Sequence, residues 1–407
     1  MKIVSPTEAI RAIPDGTTVI FPHGTIDLGQ LFPAFGDQVE RFRNLTIISG
    51  LSFGDYRFLR KGLGTNFRYL TWQASPQLRD LYAAGKIGYL PIRFGEIHRL
   101  ISRRGPIQPD VVLVQASRPR KRMVSLGVSV SLSQDFIRNA RLVIAELNPH
   151  MPWTAGDSRL PVDRIDLAVE SQVALGEYRT PDATERDGRI VDRVLELIPD
   201  RSWVQLGVGS VPDRVLARLA EKRGVNLWSG MLSGGLRPFL SNARHRPKVV
   251  TGELAGDREF YEFCGRTRSV RMATSRVTHD IGALAELPRF VSINSTVEID
   301  LHGQANGETV GELQISGVGG SLDYIQAAAL SRGGLSIIAM PSTTDDGKRT
   351  KIVKRLAPGA PVTTPRYAID TVVTEYGVAR LKGRDLRARA EALIAIAHPD
   401  FRAALAS

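Results

Sequence analysis

Glycine turns, carboxylates at the ends of apolar runs, and one histidine–aspartate pair are the features of this chain whose residue types and spacing suit chemistry. The run 203–206 leads into Gly207-Val208-Gly209-Ser210 and a helix start at Pro212-Asp213. A dinucleotide loop needs a third glycine at the position held by Pro212, so that motif is incomplete. What the turn offers is close backbone approach at a helix N-terminus, where N–H groups hold an anion or an oxyanion. The plainer reading is a tight turn that binds nothing. Gly317-Val318-Gly319-Gly320 repeats the arrangement between residues 313–316 and 322–330. An ordinary strand-to-helix turn needs one glycine and seldom three. Glu375 follows the apolar run 369–373, which suits a general base and equally a solvated loop charge. Glu253 also follows an apolar run. His279-Asp280 supplies a group that titrates near neutrality, although a lone histidine is more often structural. Lys348, with Arg332, Arg349, Lys351 and Lys354, could meet phosphate; solvated surface charge is the default for any one of them.

The elements that must position these groups follow a strand–turn–helix rhythm. Ser5-Pro6-Thr7-Glu8 reads as a capping box with proline in the first helical turn. Residues 18–21, 45–50, 110–115 and 142–146 are short apolar runs, several of them closed by glycine or polar turns. Such runs predict parallel strands buried on both faces, joined by right-handed helical crossovers. A polar stretch, 178–189, reads as a linker. After it the rhythm restarts with a helix over 190–198, a strand over 203–206 and a helix over 212–223. The expected organisation is two similar open α/β domains, 1–185 and 186–407, with the active site between them.

Bulk composition excludes several function classes. At 407 residues, with 43% hydrophobic and 24% charged residues, the chain has enough material for two packed domains. The net charge of +12 bears on partners, not fold. The densest basic cluster, Arg118-Pro119-Arg120-Lys121-Arg122, is short and reads as solvated surface, so no nucleic-acid partner is expected. Positive charge also attracts polyanionic ligands. One cysteine, Cys264, excludes a disulfide framework and fits a reducing cytoplasm. Its neighbours Phe260, Tyr261 and Phe263 suggest a buried structural thiol. No leader segment and no apolar run of about 18 residues is read, so neither export nor a membrane span is expected. The seven histidines lack ligand spacing, so no metal is expected, and nothing indicates a nicotinamide or flavin.

Several separate segments, in order, resemble the family I coenzyme A transferases. They are the 204–235 stretch ending in Ser229-Gly230-Met231-Leu232-Ser233-Gly234-Gly235, Glu146-Leu147-Asn148-Pro149-His150-Met151-Pro152, SINSTVEIDLHGQANGE from Ser292, SGVGGSLDY from Ser316, AMPST, TEYGVARLKGRDL, and Ala395 to Phe401. The nearer branch is the acetyl-CoA hydrolase/transferase group, which includes 4-hydroxybutyrate CoA-transferases. The resemblance implies a CoA-transferase fold (NagB-RpiA-like), an acyl-CoA substrate, a small carboxylate acceptor and a homodimer or larger assembly. It implies that Gly207, Gly209, Gly317, Val318, Gly319, Gly320 and Lys348 contact CoA or the thioester oxygen. Asn148 and Met151 become acyl-pocket residues, and Glu375 lines the acyl site.

The same resemblance exposes departures. The family's second piece reads His-Thr-Glu-Met-Phe-Ser-Asp-Gly, and its glutamate carries first the acyl group and then CoA. Here Gly230 stands at that position, and Gly234 stands in place of the aspartate. His279-Asp280 replaces an Asn-Asp pair, and Glu253 an apolar residue. Three readings follow. Another carboxylate, Glu253 or Glu375, carries CoA. Alternatively, water enters the space left at Gly230 and is activated by Glu375 or His279. The third is a CoA-binding protein without turnover.

Overall fold

The computed structural model describes residues 1–52, 56–180, 182 and 184–407. The chain divides into two compact units, residues 1–179 with 250–278, and residues 180–249 with 279–407. The linear reading assigns 250–278 to the second domain; in the structure the segment is bonded into the first unit. The Val130 and Ser131 N–H groups donate to the Gly252 carbonyl at 3.0 and 3.2 Å, and Leu254 N–H donates to Val128 at 2.9 Å. Arg271 and Met272 pair in parallel with Ala155 and Gly156. A composition shift marks where a chain leaves a domain, but not where it returns.

The first unit is built on an eight-stranded sheet in the order Lys2–Ile3, Leu167–Glu170, Leu142–Asn148, Val111–Ser117, Thr18–Ile20, Leu45–Ser49, Phe67–Thr71, Gly88–Tyr89. Every pairing in it is parallel. All seven residues of Val111–Ser117 are buried, because helices and loops cover both faces of such a sheet. The second unit carries the strand run Gly377–Arg380, Thr371–Thr374, Leu335–Ala339, Phe290–Asn294, Trp203–Leu206, Asn226–Ser233. Its pairings are parallel except at the Gly377–Arg380 edge. Two α/β units on parallel sheets therefore agree with the fold class expected from the sequence.

One element differs from the sequence reading in an instructive way. The polar stretch 178–189 becomes helix from Glu185, in a helix that runs Glu185–Leu197. Thr184 accepts from the Asp187 N–H at 3.2 Å and Asp187 reciprocates to the Thr184 N–H at 3.0 Å, a capping box written entirely in residues that also suit a linker. Two residues of that stretch, Pro181 and Ala183, lie outside the described residues.

Candidate active site

In the second unit the parallel strands end along one edge, and the residues after them form the candidate site. Trp203–Leu206 is followed by Gly207 to Gly209 and the helix Ser210–Arg218, which no side chain caps. The helix Ser321–Leu330 follows Gly317 to Gly320, again without a side-chain cap. Gly209 at φ 134° and Gly319 at φ 63° occupy backbone conformations that side chains disfavour. Gly207 is under no such constraint, and a Cβ built on it meets nothing within 4 Å; the same holds for the space around Gly234 and Gly319. Packing therefore does not explain the bareness of these positions. They leave backbone exposed to open space at the strand ends.

Gly230 is different. It lies in Asn226–Ser233, beyond the residues that pair with Trp203–Leu206, and the Ser229 hydroxyl donates to the Leu206 carbonyl at 2.7 Å. A Cβ on Gly230 would sit 2.8 Å from His279 Cε1, 3.0 Å from His279 Nε2 and 3.1 Å from the Tyr324 hydroxyl. His279 is 7% exposed and Tyr324 3% exposed. Their rings lie 4.7 Å apart at 47°, with the Tyr324 hydroxyl 3.5 Å from His279 Nδ1, the outer limit of a hydrogen bond. Tyr324 is anchored among Leu284, Phe290, Ala327 and Ala328, with Trp203 and Trp228 packed against them. Asp280 accepts from the Ala283 N–H at 3.1 Å and caps the helix Ile281–Ala285. The point where a side chain at Gly230 would start is thus bordered by the outer edge of the His279 ring and by the tyrosine hydroxyl.

Glu375 follows Thr371–Thr374 and is buried. Ser342 donates to both of its oxygens, from N–H at 2.9 Å and from the hydroxyl at 2.7 Å. Lys351, whose backbone N–H donates to Ser342 O at 2.8 Å, has its ammonium pushed down by burial, against the opposing pull of Asp345 and Glu375. Lys348 is exposed beyond the Thr343–Thr350 bridge, with its N–H donating to Asp346 at 3.1 Å. Arg332, Arg349 and Lys354 are also exposed. Two participants, Tyr324 and Ser342, are not singled out by the sequence reading, although both lie inside its motifs SGVGGSLDY and AMPST. A further buried pair, Gln205 with Asn294, exchanges amide hydrogen bonds at 3.2 and 3.1 Å between adjacent strands.

The first unit holds Glu253. It is fully buried with His23, whose Nε2 lies 3.1 Å from the carboxyl, and with Ser131, which donates its N–H at 3.2 Å and also its hydroxyl. Burial pushes Glu253 up to about 8 and His23 down to about 4. Burial thus favours the neutral form of each partner in this contact. Asn148 donates to Val173 O at 2.7 Å and accepts from the His150 N–H at 2.9 Å, fixing the turn that begins at Pro149. Burial pushes the Cys264 thiol up to about 12, consistent with an inert structural cysteine. Among the described residues no group of three or more histidine, cysteine, aspartate or glutamate side chains is placed to hold a metal. No helix among them is long and apolar enough to cross a membrane.

Comparisons with known proteins bear on the family and the fold. The family model for the acetyl-CoA hydrolase/transferase N-terminal domain matches residues 1–175, and that for the C-terminal domain matches 256–407. The chain is 37% identical over 414 residues to a 4-hydroxybutyrate coenzyme A transferase of Clostridium kluyveri, covering 99% of this chain and 96% of the relative. It is similar in structure to a 4-hydroxybutyrate CoA-transferase from Porphyromonas gingivalis, with TM-score 0.83 and 31% identity, covering 100% of this chain and 96% of that one. It is also similar to RipA from Yersinia pestis, with TM-score 0.92 and 28% identity over the same shares of the two chains.

Proposed function

The chain belongs to the acetyl-CoA hydrolase/transferase family, and we propose that within it the protein cleaves a CoA thioester by water attack, without a glutamyl-CoA intermediate. The observation that supports this reading is the contact of His279 with Gly230, the position where the family's glutamate is expected. His279 Nε2 is turned to the spot a nucleophile's side chain would start from, so a base stands there in place of a carboxylate. In this reading the Nδ1–H of His279 faces the Tyr324 hydroxyl, and Nε2 takes a proton from water as the water oxygen bonds to the thioester carbon. The resulting oxyanion is held by backbone N–H groups of the turns that follow Gly207 and that run from Gly317 to Gly320, the Gly207 N–H itself being engaged by Ile293 O at 3.2 Å; losing one such donor costs on the order of 3–4 kcal/mol of barrier. The C–S bond then breaks, the imidazolium returns its proton to the departing thiolate, and the products are a carboxylic acid and free CoA. Lys348 meets phosphate of CoA from its exposed turn.

Transfer through another carboxylate is less well supported. Glu375 has both oxygens engaged by Ser342, and Glu253 is held as a neutral acid by burial. The test is to incubate the protein with a panel of acyl-CoAs, with and without acetate or succinate, and to follow free thiol and new thioester. Thiol release without an acceptor is expected, and it falls by roughly 10²- to 10⁴-fold in His279→Gln, the range for loss of a general base. Acceptor-dependent exchange together with inactivation by borohydride, the mark of an enzyme-bound thioester, would overturn the reading.

A further inference from the structure

We propose that the first unit carries an anion site of its own, for a phosphate monoester on a small hydroxylated body, such as a sugar phosphate. The site is a cavity of about 520 Å³, within the size range of small-molecule pockets. All of its lining residues belong to the first unit, and none of them takes part in the thioester chemistry proposed above. Three segments form its walls. The helix Ser133–Asn139 supplies Gln134 and Arg138, the stretch 156–164 supplies Asp157, Arg159 and Arg164, and Thr274 follows the strand Val270–Met272. Bonds within the protein fix these walls. Gln134 Nε2 donates to the Asp157 and Arg159 carbonyls at 2.8 and 3.0 Å. The Asp157 N–H donates to Met272 O at 2.8 Å, and Arg159 pairs with Ser125 across an antiparallel ladder.

Charge on this frame is unbalanced. The guanidinium groups of Arg138, Arg159 and Arg164 make no ion pair and no hydrogen bond among the described residues. One carboxylate, Asp157, shares the lining, and it too is unpaired among the described residues. Asp135, on the same helix as Arg138, is already taken by Arg276 at 2.7 Å. Three cations against one acid leave a formal excess of two positive charges on the lining. A phosphate monoester carries about −1.5 to −2 at pH 7, and guanidinium forks take its oxygens in parallel bonds. A monocarboxylate leaves part of that excess unmatched. The buried wall adds a second requirement. Thr274 and Gln134 are each 6% exposed. The Thr274 hydroxyl and Gln134 Oε1 have no hydrogen-bond partner among the described residues. Buried polar groups are costly to leave unpaired, and hydroxyls of a ligand satisfy them. Asp157 repels a phosphate set against it but accepts a hydroxyl. The ligand is thus oriented, with its phosphate on the arginines and its hydroxylated body on Asp157, Thr274 and Gln134.

Binding is read without turnover, so the proposal stands or falls separately from thioester cleavage. The full-length protein is titrated by calorimetry with ribose 5-phosphate and glycerol 3-phosphate. Ribose and glycerol serve as uncharged matches, inorganic phosphate as the bare anion and succinate as a dianion without phosphate. Saturable binding of one ester is expected, with its uncharged match weaker by roughly a hundred-fold or more, the range for two bonds to charged groups. Arg138→Gln and Arg159→Gln are each expected to weaken the ester by roughly ten-fold or more. Their unfolding midpoints stay at the parent value, since neither guanidinium is bonded to the protein. Asp157→Asn tightens inorganic phosphate by removing a like charge, and it narrows the ester's advantage over that anion by removing the acceptor for a hydroxyl. Ester affinity is expected to be the same with and without saturating CoA. No saturable binding of either ester, succinate binding as tightly as the ester, unchanged affinity in both arginine variants, or displacement of the ester by CoA overturns the proposal.

Discussion

Replacing Gly230 by glutamate restores the residue type the family resemblance leads one to expect, yet the structure predicts that this single change fails. The new Cβ would lie 2.8 Å from His279 Cε1 and 3.0 Å from Nε2, closer than packed carbon atoms approach. Tyr324 closes the third direction at 3.1 Å and is itself held in an aromatic cluster. Overpacking of this kind costs about 1–3 kcal/mol. The contacts that collide are the far atoms of the imidazole, and asparagine ends before reaching them. His279→Asn therefore removes the collision while leaving a gap of its own. In a double-mutant cycle, the cost of Gly230→Glu is expected to fall by about 0.5–3 kcal/mol when His279 is already asparagine. Unfolding midpoints in denaturant for the four proteins measure this coupling. Activity follows the same order: Gly230→Glu alone shows no acceptor-dependent exchange, and the double variant gains it. A Gly230→Glu protein as stable as the parent, or a cost unchanged by His279→Asn, would refute the packing on which this reasoning rests.

Gly207→Ala is expected to leave stability within about 0.5 kcal/mol, since its Cβ enters open space, while thioester turnover falls; equal turnover would remove Gly207 from the site. Ser342→Ala withdraws the hydroxyl bond to Glu375 and should destabilise by about 1–3 kcal/mol, read as a shift in unfolding midpoint. The Glu253–His23 pair predicts a pH profile. Glu253 is raised from 4.5 to about 8, so its stabilisation is complete below 4.5 and lost as pH rises to about 8. His23 is lowered from 6.5 to about 4, so its contribution is present above 6.5 and lost as pH falls to about 4. The slopes cancel between 4.5 and 6.5, leaving a net loss of about 2 kcal/mol from pH 6.5 to 8. Denaturant titrations across that interval should show the decline in the parent and a flat line in Glu253→Gln; a decline in both would place its origin elsewhere.

What was legible in the sequence was set by local patterns. Val111–Ser117 and Leu142–Asn148 are readable because a strand buried on both faces needs a continuous apolar run. The glycine turns are readable because they fall between a strand and a helix. The helix start at Glu185 was hidden because threonine and aspartate serve caps and linkers alike. The return of 250–278 to the first unit was hidden because no local pattern encodes it. Gly230 and His279 were each readable as departures from the resemblance, but their contact was not, since they stand 49 positions apart in the chain. The fate of Glu253 was hidden for a related reason: its neighbours His23 and Ser131 come from distant segments, and only their joint burial turns a carboxylate into a neutral acid.

The contact between Gly230 and His279 makes two departures into one. Deleting a glutamate side chain from a packed strand end, with nothing to fill its place, leaves a void whose lining loses contacts and whose cost rises with its volume. An imidazole from the turn before Ile281–Ala285 borders the point where such a side chain would start, beside Tyr324. That ring is also a group able to accept a proton near neutral pH. On the proposed reading, loss of the covalent carrier and arrival of a base are a single exchange, which the paired variants at Gly230 and His279 test. The stability coupling and the switch from exchange to hydrolysis should accordingly appear, or vanish, in the same variants.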